Sequence, residues 1–237
     1  MSAFPPLSLI PSRPTAETVL ASLRAQKGNL ALALGREAPA EPLYESATAL
    51  DALHFPGAVV ELSALPGAGA HTLAFLLLRE AQRRAAEAGR PAWLGALDPS
   101  RTLSAPAVAA LGVDLRRLLV MQPPRERLLR TAARAQQSGV LCATLVDATG
   151  EEHLGALDGG LRRLARAAEQ GGGAVVLLTS SRARRGLPVP AAARALVDRG
   201  PRGELHVSFL RHRHGALPRM VLEREPEHAE THRADAW

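Results

Sequence analysis

Apolar residues in this chain fall into short continuous runs, separated by longer stretches in which they recur every three or four positions. Ala58 to Leu62, Ala92 to Leu97, Leu118 to Met121, Val140 to Val146 and Ala174 to Thr179 are such runs. Their length and composition predict five strands buried on both faces. The intervening stretches predict helices: His71 to about Ala88, stopped by Gly89; Ala105 to Gly112; Glu126 to Ser138; and Glu151 to Gln170, with Leu154, Leu157, Leu161 and Leu164 on one stripe and Gly171 to Gly173 at its end. Apolar strands alternating with helices predict an α/β fold, a mostly parallel central sheet flanked by helices. The last part differs. Leu205, Val207 and Phe209 alternate with polar residues, and Met220 to Glu223 offers a partner, which predicts an antiparallel hairpin at the sheet edge.

The ends read differently from the middle. Residues 1–14 hold four prolines and read as an extended arm. A short helix candidate follows from Thr15 to Ala25, with Val19, Leu20 and Leu23 as its apolar stripe, then a Pro/Ala-rich linker from Gly35 to Pro42. The expected organisation is an arm, helix and linker over 1–44, a core domain over 45–225, and an acidic flexible tail over 226–237.

Composition narrows the function classes. With 237 residues, 46% apolar and 22% charged, the chain can bury a core. Aromatics are 3%, which argues against stacking platforms for single-stranded nucleic acid. One cysteine, Cys142, excludes an intramolecular disulfide and a multi-cysteine zinc site; its apolar run predicts a small core residue. No apolar run reaches about 18 residues, and Met1 to Pro14 lacks a signal-peptide pattern, so the expectation is a cytoplasmic protein without a membrane partner. The net charge is +6, and Lys27 is the only lysine. From Arg182 to Arg219 nine arginines face only Asp198 and Glu204, a net +7, whereas Glu223 to Trp237 is net −3.

The first strand leads through Ser63-Ala64-Leu65-Pro66-Gly67-Ala68-Gly69-Ala70 into a helix. Strand, glycine-rich turn and helix is the architecture of a phosphate-binding loop, in which backbone N–H groups cradle phosphates, a lysine reaches the outer ones and a hydroxyl holds magnesium. Here Gly69 keeps the second glycine position. Ala64 replaces the first glycine, Ala70 the lysine and His71 the hydroxyl, with Thr72 next. Two readings stay open: a tight strand-to-helix turn, or a vestigial nucleotide site built on Gly67, Gly69 and Thr72. His71 opens a helix with no orienting acid evident in the sequence, which predicts a capping or solvent role.

Further stretches carry a resemblance. Ser46-Ala47-Thr48-Ala49-Leu50-Asp51, Val59-Val60-Glu61-Leu62, Asp98 at a strand end, Leu111-Gly112-Val113-Asp114-Leu115-Arg116-Arg117-Leu118-Leu119-Val120 followed by Gln122-Pro123, and Ser138-Gly139 leading to Asp147 resemble the RecA recombinase fold. Over residues 45–225 the chain looks most like the ImuA family, RecA-like accessory proteins of bacterial mutagenic repair. The Leu-Gly-Val-Asp block is its most specific piece. The resemblance implies a RecA-like core with a degenerate phosphate loop. The family's water-activating carboxylate falls at Ser100, its magnesium-associated aspartate at Asp147, and its γ-phosphate-sensing amide at Ser180 or Ser181. With Ala70, His71 and Ser100 at those positions, no ATPase activity and no cofactor are expected. Asp147 alone has a second reading, as a cap for the next helix. Arg79 and Arg101 are the nearest candidates for a cation in place of the missing lysine.

The function implied is a non-enzymatic adaptor in SOS-induced mutagenesis and translesion synthesis. Its implied partners are RecA and the polymerase-like subunit of the mutagenic complex (ImuB type), with the protein at the nucleoid during DNA damage and restraining RecA recombination. The alternative is a SulA-type inhibitor of cell division, also RecA-like and damage-induced. Arg182, Arg184 and Arg185 follow the fifth strand, where RecA has a DNA loop, and Arg211 and Arg213 lie near the hairpin. They read as a solvated surface, as weak sequence-insensitive DNA contacts, or as contacts to an acidic partner. The pair His212 and His214 has too few further ligands for a metal site and reads as part of a solvated positive hairpin. Val19, Leu20 and Leu23 are expected to dock on a partner.

Overall fold

The computed structural model describes residues 44–45, 47–150, 158–180, 190–215 and 219–224. The helix candidate at Thr15 to Ala25, the acidic tail, Arg182, Arg184, Arg185, Leu154 and Leu157 lie outside them. Among the described residues nine strands form one sheet: β1 (Tyr44–Glu45), β2 (Val59–Ala64), β3 (Trp93–Leu97), β4 (Leu118–Met121), β5 (Leu141–Asp147), β6 (Ala174–Ser180), β7 (Ala191–Arg199), β8 (Leu205–His212) and β9 (Met220–Arg224). Their order is β1-β9-β8-β7-β2-β6-β5-β3-β4. From β4 to β7 every ladder is parallel; β7-β8, β8-β9 and β9-β1 are antiparallel. The fold is thus mixed α/β with a mostly parallel sheet and antiparallel strands at its C-terminal edge.

Helices cover both faces. On one face α1 (Ala47–Leu53), α2 (Ala70–Glu87) and α3 (Ala105–Ala110) share a core with Val60, Leu62, Leu94, Leu145 and Leu178. On the other face α4 (Leu128–Gln137) and α5 (Asp158–Gly171) bury Leu128, Leu129, Leu161 and Leu164 against Val59, Val146, Val175 and Leu177. Each central strand alternates its side chains between these two cores, so an unbroken apolar run is what the position demands. Gly171 lets α5 close against α4: a Cβ there would collide with the Gln136 carbonyl. Cys142 is half-buried and packs against the α2-side core.

Two strands depart from the sequence expectation, the two-residue β1 and, with more consequence, β7. Residues 191–199 carry no strand signal, yet they form β7, which joins the parallel and antiparallel halves. Alanine favours helices in isolation. Here Ala193, Ala195 and Val197 are buried, while Arg194, Leu196 and Asp198 take the less covered face. The alternation is real but written in alanines against larger residues, and tertiary packing overrides propensity.

An ionic knot ties α1 to α2. Arg83 donates to both Glu80 oxygens (2.9 and 2.6 Å), Arg84 Nε donates to Glu80 Oε1 (2.5 Å), and Arg84 also pairs with Asp51. The hydrogen bonds from Arg83, helped by Arg84 and opposed by burial, pull the Glu80 carboxyl down to about 2. A carboxyl lowered on folding stabilises the folded state above its ordinary value of 4.5, and that contribution disappears as pH falls towards about 2. Glu80→Gln is therefore expected to lower stability at neutral pH and to flatten stability against pH in that window, as read by urea denaturation at a series of acidic pH values.

Candidate functional site

The C-terminal ends of the parallel strands bring together most of the residues singled out above. After β2 the chain turns through Leu65 to Gly69, with the Ala68 N–H donating to the Leu65 carbonyl at 3.1 Å. Gly67 and Gly69 take φ of +80° and +93°, a region where L side chains are strained. Gly69 caps α2, and its carbonyl accepts from the Leu73 N–H at 3.0 Å. Thr72, half-buried, follows in the first turn.

His71 has an orienting acid after all, and this corrects the expectation. Its Nε2 lies 3.1 Å from Asp147 Oδ2, at the end of β5. Asp147 is almost fully buried, whereas the His71 side chain is 44% exposed. Asp147 Oδ1 accepts from the Thr149 N–H (2.9 Å) and hydroxyl (2.6 Å). Burial pushes the Asp147 carboxyl up, but the hydrogen bonds from His71 and Thr149 outweigh it and hold the group below its ordinary value. An ionised carboxylate can only accept, so His71 Nε2 carries the hydrogen. The imidazole thus sits on the carboxylate that the resemblance assigns to magnesium. Asp147 also closes the turn into residue 149; the stretch from there to the next helix, on which the helix-capping reading depends, lies outside the described residues.

Of the two arginines weighed as replacement cations, one is engaged elsewhere, and a third arginine lies beside the turn. Arg79 points away from the turn, towards the Leu111 carbonyl (3.5 Å). Arg101 stands in the loop after β3 with φ +58°. Among the described residues a guanidinium beside the glycine turn is that of Arg199, at the end of β7: a Cβ on Gly69 would come within 3.2 Å of its Nη2. Ala64 pairs in register with Val197, which places Arg199 just beyond the end of β2. The sequence held no signal for this, because β7 did not read as a strand.

Arg125 was likewise not singled out. Its Nη2 donates to Ser100 Oγ at 2.7 Å and its Nη1 to the Thr149 carbonyl at 3.0 Å. It binds the loop after β3 to the loop after β5. Asp98 is 1% exposed and accepts from the Leu103 N–H at 2.9 Å, which makes it a loop-closing group.

A buried polar cluster lies on the sheet face away from α2. Arg194 Nε donates to Glu61 Oε2 at 2.6 Å, Thr179 Oγ1 donates to Glu61 Oε1 at 3.1 Å, and the hydroxyls of Ser63 and Thr179 lie 2.6 Å apart. It joins β2, β6 and β7 just beneath the turn.

Arg211 and Arg213 are not part of this site. Both are exposed, and the Arg213 N–H donates to the Ala192 carbonyl at 2.8 Å, near the start of β7 and the opposite end of the sheet. The pair His212 and His214 is not simply solvated. Half-buried His212 donates from Nε2 to the Ala52 carbonyl (2.8 Å) and accepts the His214 N–H at Nδ1 (3.2 Å), and both rings pack against Phe55. No group of three or more possible metal-ligating side chains occurs among the described residues, and none of their helices is long and apolar enough to cross a membrane.

Compared with known proteins, the chain matches no family model and no curated sequence.

Proposed function

We propose that this protein is a non-enzymatic adaptor with a RecA-like core that acts in damage-induced mutagenesis by binding RecA, the polymerase-like subunit of a mutagenic complex, or both. The observation that carries the reading is the His71–Asp147 contact of 3.1 Å. Phosphoryl transfer at such a turn depends on a lysine on the outer phosphates and a metal between the turn hydroxyl and the strand-end carboxylate. Ala70 supplies no charge there, and an imidazole already holds the carboxylate. Ser100, at the water-activating position, is held by Arg125. What remains is a well-formed α/β scaffold whose surface recognises other proteins.

The test is a strand-exchange reaction driven by RecA, with the purified full-length chain added, alongside an ATPase measurement with and without DNA. The expected result is slowed strand exchange, background ATP turnover, and relief of the slowing on deletion of residues 1–40. Unchanged strand exchange, together with failure to bind the polymerase-like subunit, would overturn the adaptor reading. So would ATP turnover at ordinary RecA-like rates that is abolished by Asp147→Ala.

A further inference from the structure

At the end of the sheet opposite the glycine turn lies a cavity of about 660 Å³. Its floor is the backbone entering β2 and β7, and its wall is one side of α5. Three guanidinium side chains line it, Arg162, Arg166 and Arg213, against one carboxylate, Glu169. Arg162 and Arg166 are one helical turn apart and so project from the same side of α5. Arg213 comes from the other flank. Its guanidinium carbon lies 5.8 Å from the centroid of the Phe55 ring, a cation–π contact, and its N–H is held by the Ala192 carbonyl. All three arginines are exposed. The basic field continues beyond the cavity: α4 and α5 together carry five arginines against Asp158 and Glu169.

From this arrangement we infer that the cavity between α5 and the start of β2 is a docking site for the phosphodiester backbone of duplex nucleic acid. Guanidinium groups match phosphate oxygens in pairs, and three of them converging from two elements form a phosphate seat. The rest of the lining is small: Gly57 and Gly172 bring bare backbone to the wall. Such a surface gives a sugar–phosphate chain close approach. A peptide partner normally anchors a large apolar or aromatic side chain in a pocket, and the described lining has no leucine and no aromatic ring to build one. The same described lining has no aromatic ring on which an unpaired base could stack. Recognition is therefore of backbone charge and shape, without sequence readout. The Phe55 contact holds Arg213 in place before binding, which reduces the ordering cost. The inference does not rest on the adaptor reading, since the two sites occupy opposite ends of the sheet.

The experiment is a fluorescence-polarisation titration of the full-length protein with labelled duplex DNA and duplex RNA of two unrelated sequences over a range of salt concentrations. Poly-glutamate is the competing acidic peptide. The variants are R162A/R166A/R213A, the double reversal R162E/R166E, which leaves the Phe55 contact untouched, and R182A/R184A/R185A. The expected result is duplex binding that is indifferent to sequence and weakened at least about tenfold in both cavity variants. The slope of log affinity against log salt should fall by about 0.9 for each phosphate that the variant no longer neutralises. Unchanged affinity and slope in the cavity variants would overturn the inference. A loss of binding confined to the R182A/R184A/R185A variant, or poly-glutamate binding tighter than duplex at equal ionic strength, would also overturn it.

Discussion

Arg194→Ala is expected to destabilise the protein by about 3–5 kcal/mol, the cost of leaving one member of a buried ion pair without its partner. Glu61 is 1% exposed and sits in the middle of the central strand β2. Arg194 gives it the 2.6 Å bond, and its own side chain is only 15% exposed. Without the guanidinium, Thr179 remains as a single neutral donor to a carboxylate inside the sheet. The carboxylate is then left inside the sheet without its countercharge, which lowers stability. Replacing both members, as in Glu61→Leu with Arg194→Met, is expected to recover most of the stability, because the desolvation of two charges disappears together with their attraction. Urea denaturation of the two variants separates the outcomes. If R194A unfolds within about 1 kcal/mol of wild type, the pair is not the buried contact described above.

Gly69→Ala is expected to cost about 2–5 kcal/mol, from two sources. A left-handed backbone with a Cβ costs roughly 1–2 kcal/mol. The new Cβ would also collide with the Leu205 side chain and crowd the Arg199 guanidinium, an overpacking cost of about 1–3 kcal/mol. Gly67→Ala supplies the control. Its φ is +80°, but nothing lies within 4 Å of the added atom. It should show the backbone cost alone, so the difference in thermal midpoint between the two variants reports the contact with β8. Equal midpoints would mean that the turn does not pack on β8 as described.

What could be read from the sequence followed physical rules of different reach. β2, β3, β5 and β6 were legible because a strand buried on both faces must be an unbroken apolar run, and such runs are local features. β7 was not, because its inward positions are alanines, whose small size suits the packed core and whose helix preference hides the strand. The strand-turn-helix around Gly67 and Gly69 was legible, since positive φ selects glycine. The contact from His71 to Asp147 spans 76 residues, and the one from Arg125 to Ser100 spans 25. Neither spacing has a local period to betray it. Arg199 was doubly hidden: its place beside Gly69 follows from the register of β2 with β7, and β7 was itself unread. The Glu61–Arg194 pair fell to the same gap, as a charge in an apolar run makes sense only once the strand carrying its counterion is known.

The central position of β2 has a consequence for how the chain is made. Its ladder partners are Val175–Ser180 on one side and Ala191–Val197 on the other, both more than a hundred residues downstream. At about 5–20 residues per second, a ribosome needs on the order of ten seconds between finishing β2 and delivering β7. Until β6 is delivered Val59–Ala64 has neither of its ladder partners, and a strand-forming segment in that position can pair with copies of itself on neighbouring nascent chains. Glu61 is the single charge within it. An uncompensated carboxylate in the middle of such a segment opposes its self-stacking. The charge that needs Arg194 in the finished sheet thus guards the strand before Arg194 has been synthesised.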